Sequence, residues 1–273
     1  MIPDSRSRKT DTSYLLNDQY RNASNLEARA QLHVRYGTNK YGWQRWLFDQ
    51  FDFPSPARVV EFGCGPGWLW AQNQDRVAAG WDITLTDFSA GMIEECKRNL
   101  ASSAHPFKFE TVDVQAIPYE SATFDAVTAN HMLYHVPDLR GALDEMRRIL
   151  KPSGKLYAAT NGVNHLREIY DLQMRFDPTI QYWEGFSAAR SFELDRGITQ
   201  LLEFFPNVTL RRYEDALLVT EAEALLNYIL SGPGKAAFTE DKQVALRQFL
   251  QHEIDQRGAV RITKDSGVLI ASF

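Results

Sequence analysis

Three carboxylates stand at the ends of apolar runs in the first half of the chain, and a glycine-rich turn follows the first of them. Val59-Val60-Glu61-Phe62 leads into Gly63-Cys64-Gly65-Pro66-Gly67, Ile83-Thr84-Leu85-Thr86 ends in Asp87, and Phe107, Phe109 and Val112 precede Asp113-Val114-Gln115. Runs of this kind read as buried strands of a parallel sheet, and such sheets bind ligands outside the carboxyl ends of their strands. Glycines at the first of these ends let a ligand approach bare backbone. An ionised Asp87 can accept from both hydroxyls of a ribose, each charge-assisted bond contributing roughly 1.5–3 kcal/mol. Asp113 can accept from an adenine amino group while the Val114 amide donates to the ring. The combination points to a nucleoside-containing cofactor. Each feature also has a plainer use: a tight strand-to-helix connection for the glycines, a helix N-cap for Asp87, an Asx turn for Asp113. Ser89 already suits the N-cap of a helix over Ala90 to about Asn99, which leaves Asp87 free for a ligand.

The elements that must position these groups follow from apolar periodicity. Strands are predicted at the three runs above, at Phe124 to Asn130, at Lys155 to Thr160, at Val208 to Tyr213 with an extension to Val219, and at Val260 to Ala271. Between them the pattern gives helices at Leu139 to Leu150 behind an Asp138 N-cap, Leu166 to about Phe176, Phe192 to Phe205, Glu221 to Leu230 and Thr239 to Gln256. Alternation of strands and helices is the signature of an α/β fold.

A chain of 273 residues exceeds a minimal doubly wound domain by roughly a hundred, so extra elements must cover the sheet. A net charge of −5 disfavours nucleic acid as a partner, since phosphate neutralisation calls for a basic face. A mean hydropathy of −0.37, with no apolar run of membrane-spanning length and no apolar leader, suggests cytoplasmic residence. Cys64 and Cys96 match neither a zinc site nor a disulfide framework, so no metal is expected. Residues 1–12 are polar enough for disorder, and a homodimer stays open.

Taken in order, Glu61-Phe62-Gly63-Cys64-Gly65-Pro66-Gly67, Leu85-Thr86-Asp87-Phe88-Ser89, Asp113-Val114-Gln115, His135-Val136-Pro137-Asp138 and Ile149-Leu150-Lys151-Pro152-Ser153-Gly154-Lys155-Leu156 resemble the class I S-adenosylmethionine-dependent methyltransferases. The likeness is to the small-molecule branch that contains the ubiquinone and menaquinone methylases, and it spans about residues 59–160. It implies a Rossmann-like doubly wound seven-stranded sheet of order 3-2-1-4-5-7-6 with an antiparallel last pair. It also implies methyl transfer from S-adenosylmethionine to a small-molecule oxygen, nitrogen or carbon acceptor. In such a site Glu61 and the backbone of Gly63, Cys64, Gly65 and Gly67 organise the methionine moiety and Asp87 holds the ribose. Phe88 and Met92 flank the adenine, Asp113, Val114 and Gln115 read its edge, and Asn130 lines the pocket. Ser153 departs from the pattern where a second glycine commonly sits. A nicotinamide enzyme would instead space its glycines Gly-x-Gly-x-x-Gly. The rival reading is a non-methylating cyclase or cofactor-dependent regulator that keeps the same site, because the three carboxylates serve binding alone.

Residues 1–52 read as an N-terminal helical cap and 53–273 as the methyltransferase domain, with a helical lid inserted at about 163–206. The cap is rich in aromatic residues, and Tyr36-Gly37-Thr38-Asn39-Lys40-Tyr41 has the composition of a flap closing over a sulfonium, with Tyr36 at cofactor or acceptor. Tyr14, Tyr20, Trp43, Tyr134, His135 and Trp183 are candidate acceptor contacts. His131, just past strand four, is the candidate base or acceptor ligand. His135 reads as architectural otherwise, and His33, His105, His165 and His252 stand singly, as surface or packing residues. The aromatic content leans toward a flat or hydrophobic acceptor.

Overall fold

The structure, a computed structural model, describes residues 24–179, 191–232 and 237–273. Helices α1 (Ser24–Tyr36) and α2 (Trp43–Phe48) lead into β1 (Ala57–Phe62) and the short α3 (Trp68–Ala71). Then follow β2 (Trp81–Asp87), α4 (Ala90–Asn99), β3 (Lys108–Thr111), β4 (Phe124–Asn130), α5 (Leu139–Ile149) and β5 (Leu150–Asn161). The second half holds α6 (Arg167–Phe176), α7 (Leu194–Leu202), β6 (Asn207–Val219), α8 (Ala222–Leu230), α9 (Glu240–Arg257) and β7 (Val260–Ser272). The sheet has the order β3-β2-β1-β4-β5-β7-β6, parallel throughout except for β7, as the resemblance implies.

Local chemistry sets these boundaries. Ser89 Oγ caps α4 by accepting from Met92 N–H at 3.4 Å, and Asp138 Oδ1 caps α5 through Gly141 N–H at 2.9 Å. The apolar stripe of α5 (Ala142, Leu143, Met146, Ile149) is buried on one sheet face with Phe62, Val127 and Leu156. On the other face Trp70, Ile93 and Cys96 pack against Val59, Ile83 and Leu85. The fifth strand starts earlier than expected: it begins at Leu150, with a register irregularity opposite Phe124 and Ala126, so Ser153 falls inside the strand.

The two final strands outrun their neighbour. β5 ends opposite Ser266, whereas β6 and β7 stay paired to Val219 and Val260, leaving an antiparallel arm beyond the carboxyl edge of the sheet. That arm carries a second core: Leu217, Val219 and Ile262 pack with Leu32 and Tyr36 of α1, Ile169 and Leu172 of α6, Leu225 and Ile229 of α8, and Leu250 of α9. This core draws on elements from both halves of the chain. Of the two helices in the 163–206 insertion only α6 joins it. The other, α7, lies on the sheet face, with Leu194 and Leu201 fully buried and Gly197 against Leu269. The second core also takes in α8 and α9, whose apolar residues pack against the arm.

Candidate active site

The carboxyl ends of β1, β2 and β4 converge on one buried network. Glu61, 2% exposed, accepts from Trp70 Nε1 at 2.5 Å on one oxygen and from Asn130 Nδ2 at 2.8 Å on the other. Burial pushes its carboxyl up to about 7, against the opposing pull of those two donors. Asp87 bridges the turn: Oδ2 accepts from Gly65 N–H at 2.9 Å and Oδ1 from Ser89 N–H at 2.8 Å. Burial raises its carboxyl too, while the two amides favour the charged form. Each Asp87 oxygen thus holds one backbone amide of the turn.

The three turn glycines serve different ends. A Cβ on Gly63 would lie 2.7 Å from Met132 Cβ, and one on Gly67 would lie 2.5 Å from Cys96 Sγ, so both are needed for packing. Gly65 has φ +54° and nothing within 4 Å of where its Cβ would be. Its face is open space bounded by Asp87, the kind of floor on which a ligand lies against backbone. Cys64 is a buried free thiol, and the thiol of Cys96 beside it, together with burial, pushes its pKa up.

Asp113 forms the Asx turn: Oδ1 accepts from Gln115 N–H at 2.9 Å and from Gln115 Nε2 at 3.3 Å. Gln115 Oε1 in turn accepts from Asp138 N–H at 3.1 Å, tying this edge to the start of α5. Val114 is buried and Phe88 is 38% exposed, whereas Met92, at 1%, is enclosed in the wall and presents no open surface. Asn130 Oδ1 is buried without a partner in the structure.

His131 follows at once, held at φ +55° with its N–H on Ala159 O at 2.8 Å, a left-handed conformation of the sort that accompanies functional positions. Its ring lies 5.2 Å from that of Trp43. Burial, reinforced by the charge of Lys264, lowers it to about 4, so it is neutral at physiological pH and a weak base. Tyr134 and His135 pair edge to face at 4.5 Å on the single 3-10 turn after it.

Tyr36 requires correction. It is 7% exposed within the second core, packed with Leu32 and Leu217 rather than over a ligand. The loop after it is no free flap: Thr38 N–H donates to Ala216 O at 2.8 Å, and Asn39 N–H and Thr38 Oγ1 donate to Asp215 Oδ1 at 2.8 and 3.0 Å. The histidines also need revision, since His33 and His165 do not stand singly. They stack with ring centroids 5.9 Å apart. Nothing local in the sequence relates residues 33 and 165. Only the helix and loop that carry them do so. Tyr14, Tyr20 and Trp183 lie outside the described residues. Among the described residues no group of three or more His, Cys, Asp or Glu is placed to hold a metal ion, and no helix is long and apolar enough to cross a membrane.

Residues 60–158 match the family model described as a methyltransferase domain. The chain is 34% identical over 116 residues to a malonyl-[acyl-carrier protein] O-methyltransferase of Enterobacter lignolyticus, covering 41% of this chain and 42% of that protein. It is 33% identical over 121 residues to a demethylmenaquinone methyltransferase of Clavibacter sepedonicus, covering 43% of this chain and 48% of that protein. It thus spans under half the length of these curated relatives. In fold it is similar to the Haemonchus contortus phosphoethanolamine N-methyltransferase 2 solved with S-adenosyl-L-methionine, at a TM-score of 0.58 and 15% identity over 95% of this chain and 59% of that one. The strand order, the glycine turn with its carboxylates and the match over residues 60–158 agree, and that stretch of the chain is similar to a methyltransferase domain.

Proposed function

We propose that the protein transfers the methyl group of S-adenosylmethionine to a small-molecule acceptor and releases S-adenosylhomocysteine. The observation that carries this reading is the open face of Gly65 beneath Asp87 and beside Glu61. Glu61 and the unpartnered Asn130 Oδ1 suit an α-ammonium, which would bring a donor to both and draw Glu61 into its charged form. Asp87 has a lone pair on each oxygen for the ribose hydroxyls. The Asp113 turn presents Val114 N–H and a second carboxylate oxygen at the position of the adenine edge. Bound there, the sulfonium supplies an activated methyl group.

What remains for the protein is positioning: an acceptor held in line, with water excluded, accounts for most of the rate in displacements of this kind. The cover built on the β6–β7 arm stands over the carboxyl edge of the sheet and is suited to that exclusion. Cytoplasmic residence and a non-nucleic-acid acceptor accord with the composition. Calorimetric titration with S-adenosylhomocysteine and with NAD tests the reading. Micromolar affinity for the former and none for the latter is expected, and the opposite preference would overturn it. Formation of S-adenosylhomocysteine with a panel of acceptors then separates methyl transfer from the cyclase or regulator alternative.

A further inference from the structure

Trp70 is fully buried, and its indole N–H donates to Glu61 Oε2 at 2.5 Å, nine residues back along the chain. The glycine turn and the short α3 that follows it bring the ring back over the end of β1, the strand that carries Glu61. The ring is fixed there. Phe48 of α2 meets it edge to face at 6.1 Å and Phe107 does the same at 5.8 Å from another side. Asn73, also fully buried, ties the end of α3 down by donating through Nδ2 to Leu69 O at 2.7 Å and to Gln44 O at 3.1 Å. The direction of the indole N–H is therefore set by packing and not by a free rotamer.

Resting on the cofactor reading above, we propose that Trp70 is a positioning residue for methyl-donor binding: with Asn130 on the opposite oxygen, its N–H fixes the plane of the Glu61 carboxylate and keeps that group an anion able to receive the cofactor's ammonium.

The surroundings of Glu61 give this donor its importance. A buried carboxylate is costly unless it is paired, and both donors here are neutral. The charged or titratable groups that face Glu61 are Asp87, from the end of β2, which opposes its ionisation, and the Cys64 thiol of the turn. Burial pushes the carboxyl up, and the bonds from Asn130 and Trp70 pull it back. Two of the carboxylate's lone-pair sites are taken by these donors, and the others remain for a ligand. The plainer use of the pair is that Glu61 merely satisfies a buried indole. A backbone carbonyl does that at far lower cost, as Pro54 O does for Trp81 Nε1 at 3.0 Å in this same chain. An acid placed where water is excluded and no cation pairs with it is suited instead to a cation that arrives with the ligand.

The test is calorimetric titration of S-adenosylhomocysteine into the full-length protein and into Trp70→Phe, between pH 6 and 8.5. Without the indole donor the carboxyl ionises at higher pH, so the fall in affinity should begin about one pH unit higher than in the wild type. That displacement corresponds to about a fivefold loss at pH 7 and less than about twofold at pH 8.5. A purely structural indole predicts a loss of equal size at every pH, and that result would overturn the proposal while the cofactor reading stands. Exchange of the Trp70 indole for a benzothiophene, introduced at that site alone, keeps the ring's shape and removes only the N–H. It should show the same displaced profile with Tm held near that of the wild type, so the test survives if Trp70→Phe fails to fold. A wild-type profile in the benzothiophene variant would overturn the proposal. Failure of the wild type to bind S-adenosylhomocysteine would remove the cofactor reading, and the proposal with it.

Discussion

Asn130 joins Glu61 to His131: its Nδ2 donates to Glu61 Oε1 at 2.8 Å, and the residue that follows, His131, is held at φ +55°. A carboxyl held at about 7 by burial is half protonated near neutrality, and a neighbouring ammonium favours its charged form. Below pH 7 the proton must leave before an ammonium can pair with it. S-adenosylhomocysteine affinity should therefore be constant above about pH 7.5 and fall as the pH drops, approaching about tenfold per unit. Glu61→Gln should flatten that dependence and weaken binding roughly ten- to hundredfold, the worth of a charge-assisted hydrogen bond. Calorimetry between pH 5.5 and 8 reads both, and an unchanged pH profile in Glu61→Gln would assign the titration elsewhere.

The glycine turn predicts a separation of binding from stability. Gly65→Ala adds a methyl group to open space at φ +54°, at a backbone cost of about 1 kcal/mol, and leaves a folded protein whose cofactor floor is blocked. Gly67→Ala instead drives a methyl group into Cys96 Sγ, and Gly63→Ala drives one into Met132 Cβ. These should lose about 1–3 kcal/mol of stability, as overpacked sites do. Thermal melts alongside cofactor titration check the pattern. Intact binding in Gly65→Ala would show that the turn has only a structural use.

Asp87 does two jobs at once, which sharpens what its removal should do. Asp87→Ala strips acceptors from Gly65 and Ser89 N–H as well as from a ribose, so both binding and stability should suffer. Cofactor affinity should fall at least tenfold, with a drop of several degrees in Tm. Asp87→Asn keeps one acceptor and should retain more stability than affinity. An unchanged dissociation constant in a folded Asp87→Ala protein would place the ribose elsewhere.

What the sequence made legible is what local pattern encodes. Glu61, Asp87 and Asp113 each end an apolar run, and the caps at Ser89 and Asp138 precede periodic helices, so these positions were readable one at a time. The helices α8 and α9 were placed to within a residue at each end. Their role was not legible, because it depends on β6 and β7 overrunning β5, and strand length relative to a neighbour is a property of pairing rather than of composition. The same limit hid the stacking of His33 on His165, which only tertiary packing brings together. Tyr36 misled for a related reason: an aromatic beside a glycine loop suits a flap, but the loop's backbone is tied to β6 through Thr38 and Asp215.

The N-terminal segment supplies the sharpest conflict between the expected lid and the observed core. Were residues 14–42 a detachable cover, their deletion would leave cofactor affinity nearly intact and lower turnover alone. In the structure the cut removes Leu32 (3% exposed) and Tyr36 (7%) from the second core, and with them Arg29, whose guanidinium donates to Ser231 O at 3.0 Å. It also removes Thr38 and Asn39 from Asp215, leaving the buried Lys264 pair short of donors. Losing one large buried apolar side chain typically costs about 2–5 kcal/mol, and two such losses approach the whole stability of an ordinary domain. The expected result of deleting residues 1–42 is loss of the cooperative melt, seen by circular dichroism, and not a folded enzyme with an open site. Thr38→Ala is the milder companion: it frees one hydroxyl from Asp215 without opening the core, and should lower Tm by a few degrees with S-adenosylhomocysteine affinity retained. A truncated chain that melts cooperatively and binds the cofactor normally would restore the lid reading and show that the arm, α6, α8 and α9 hold together without α1.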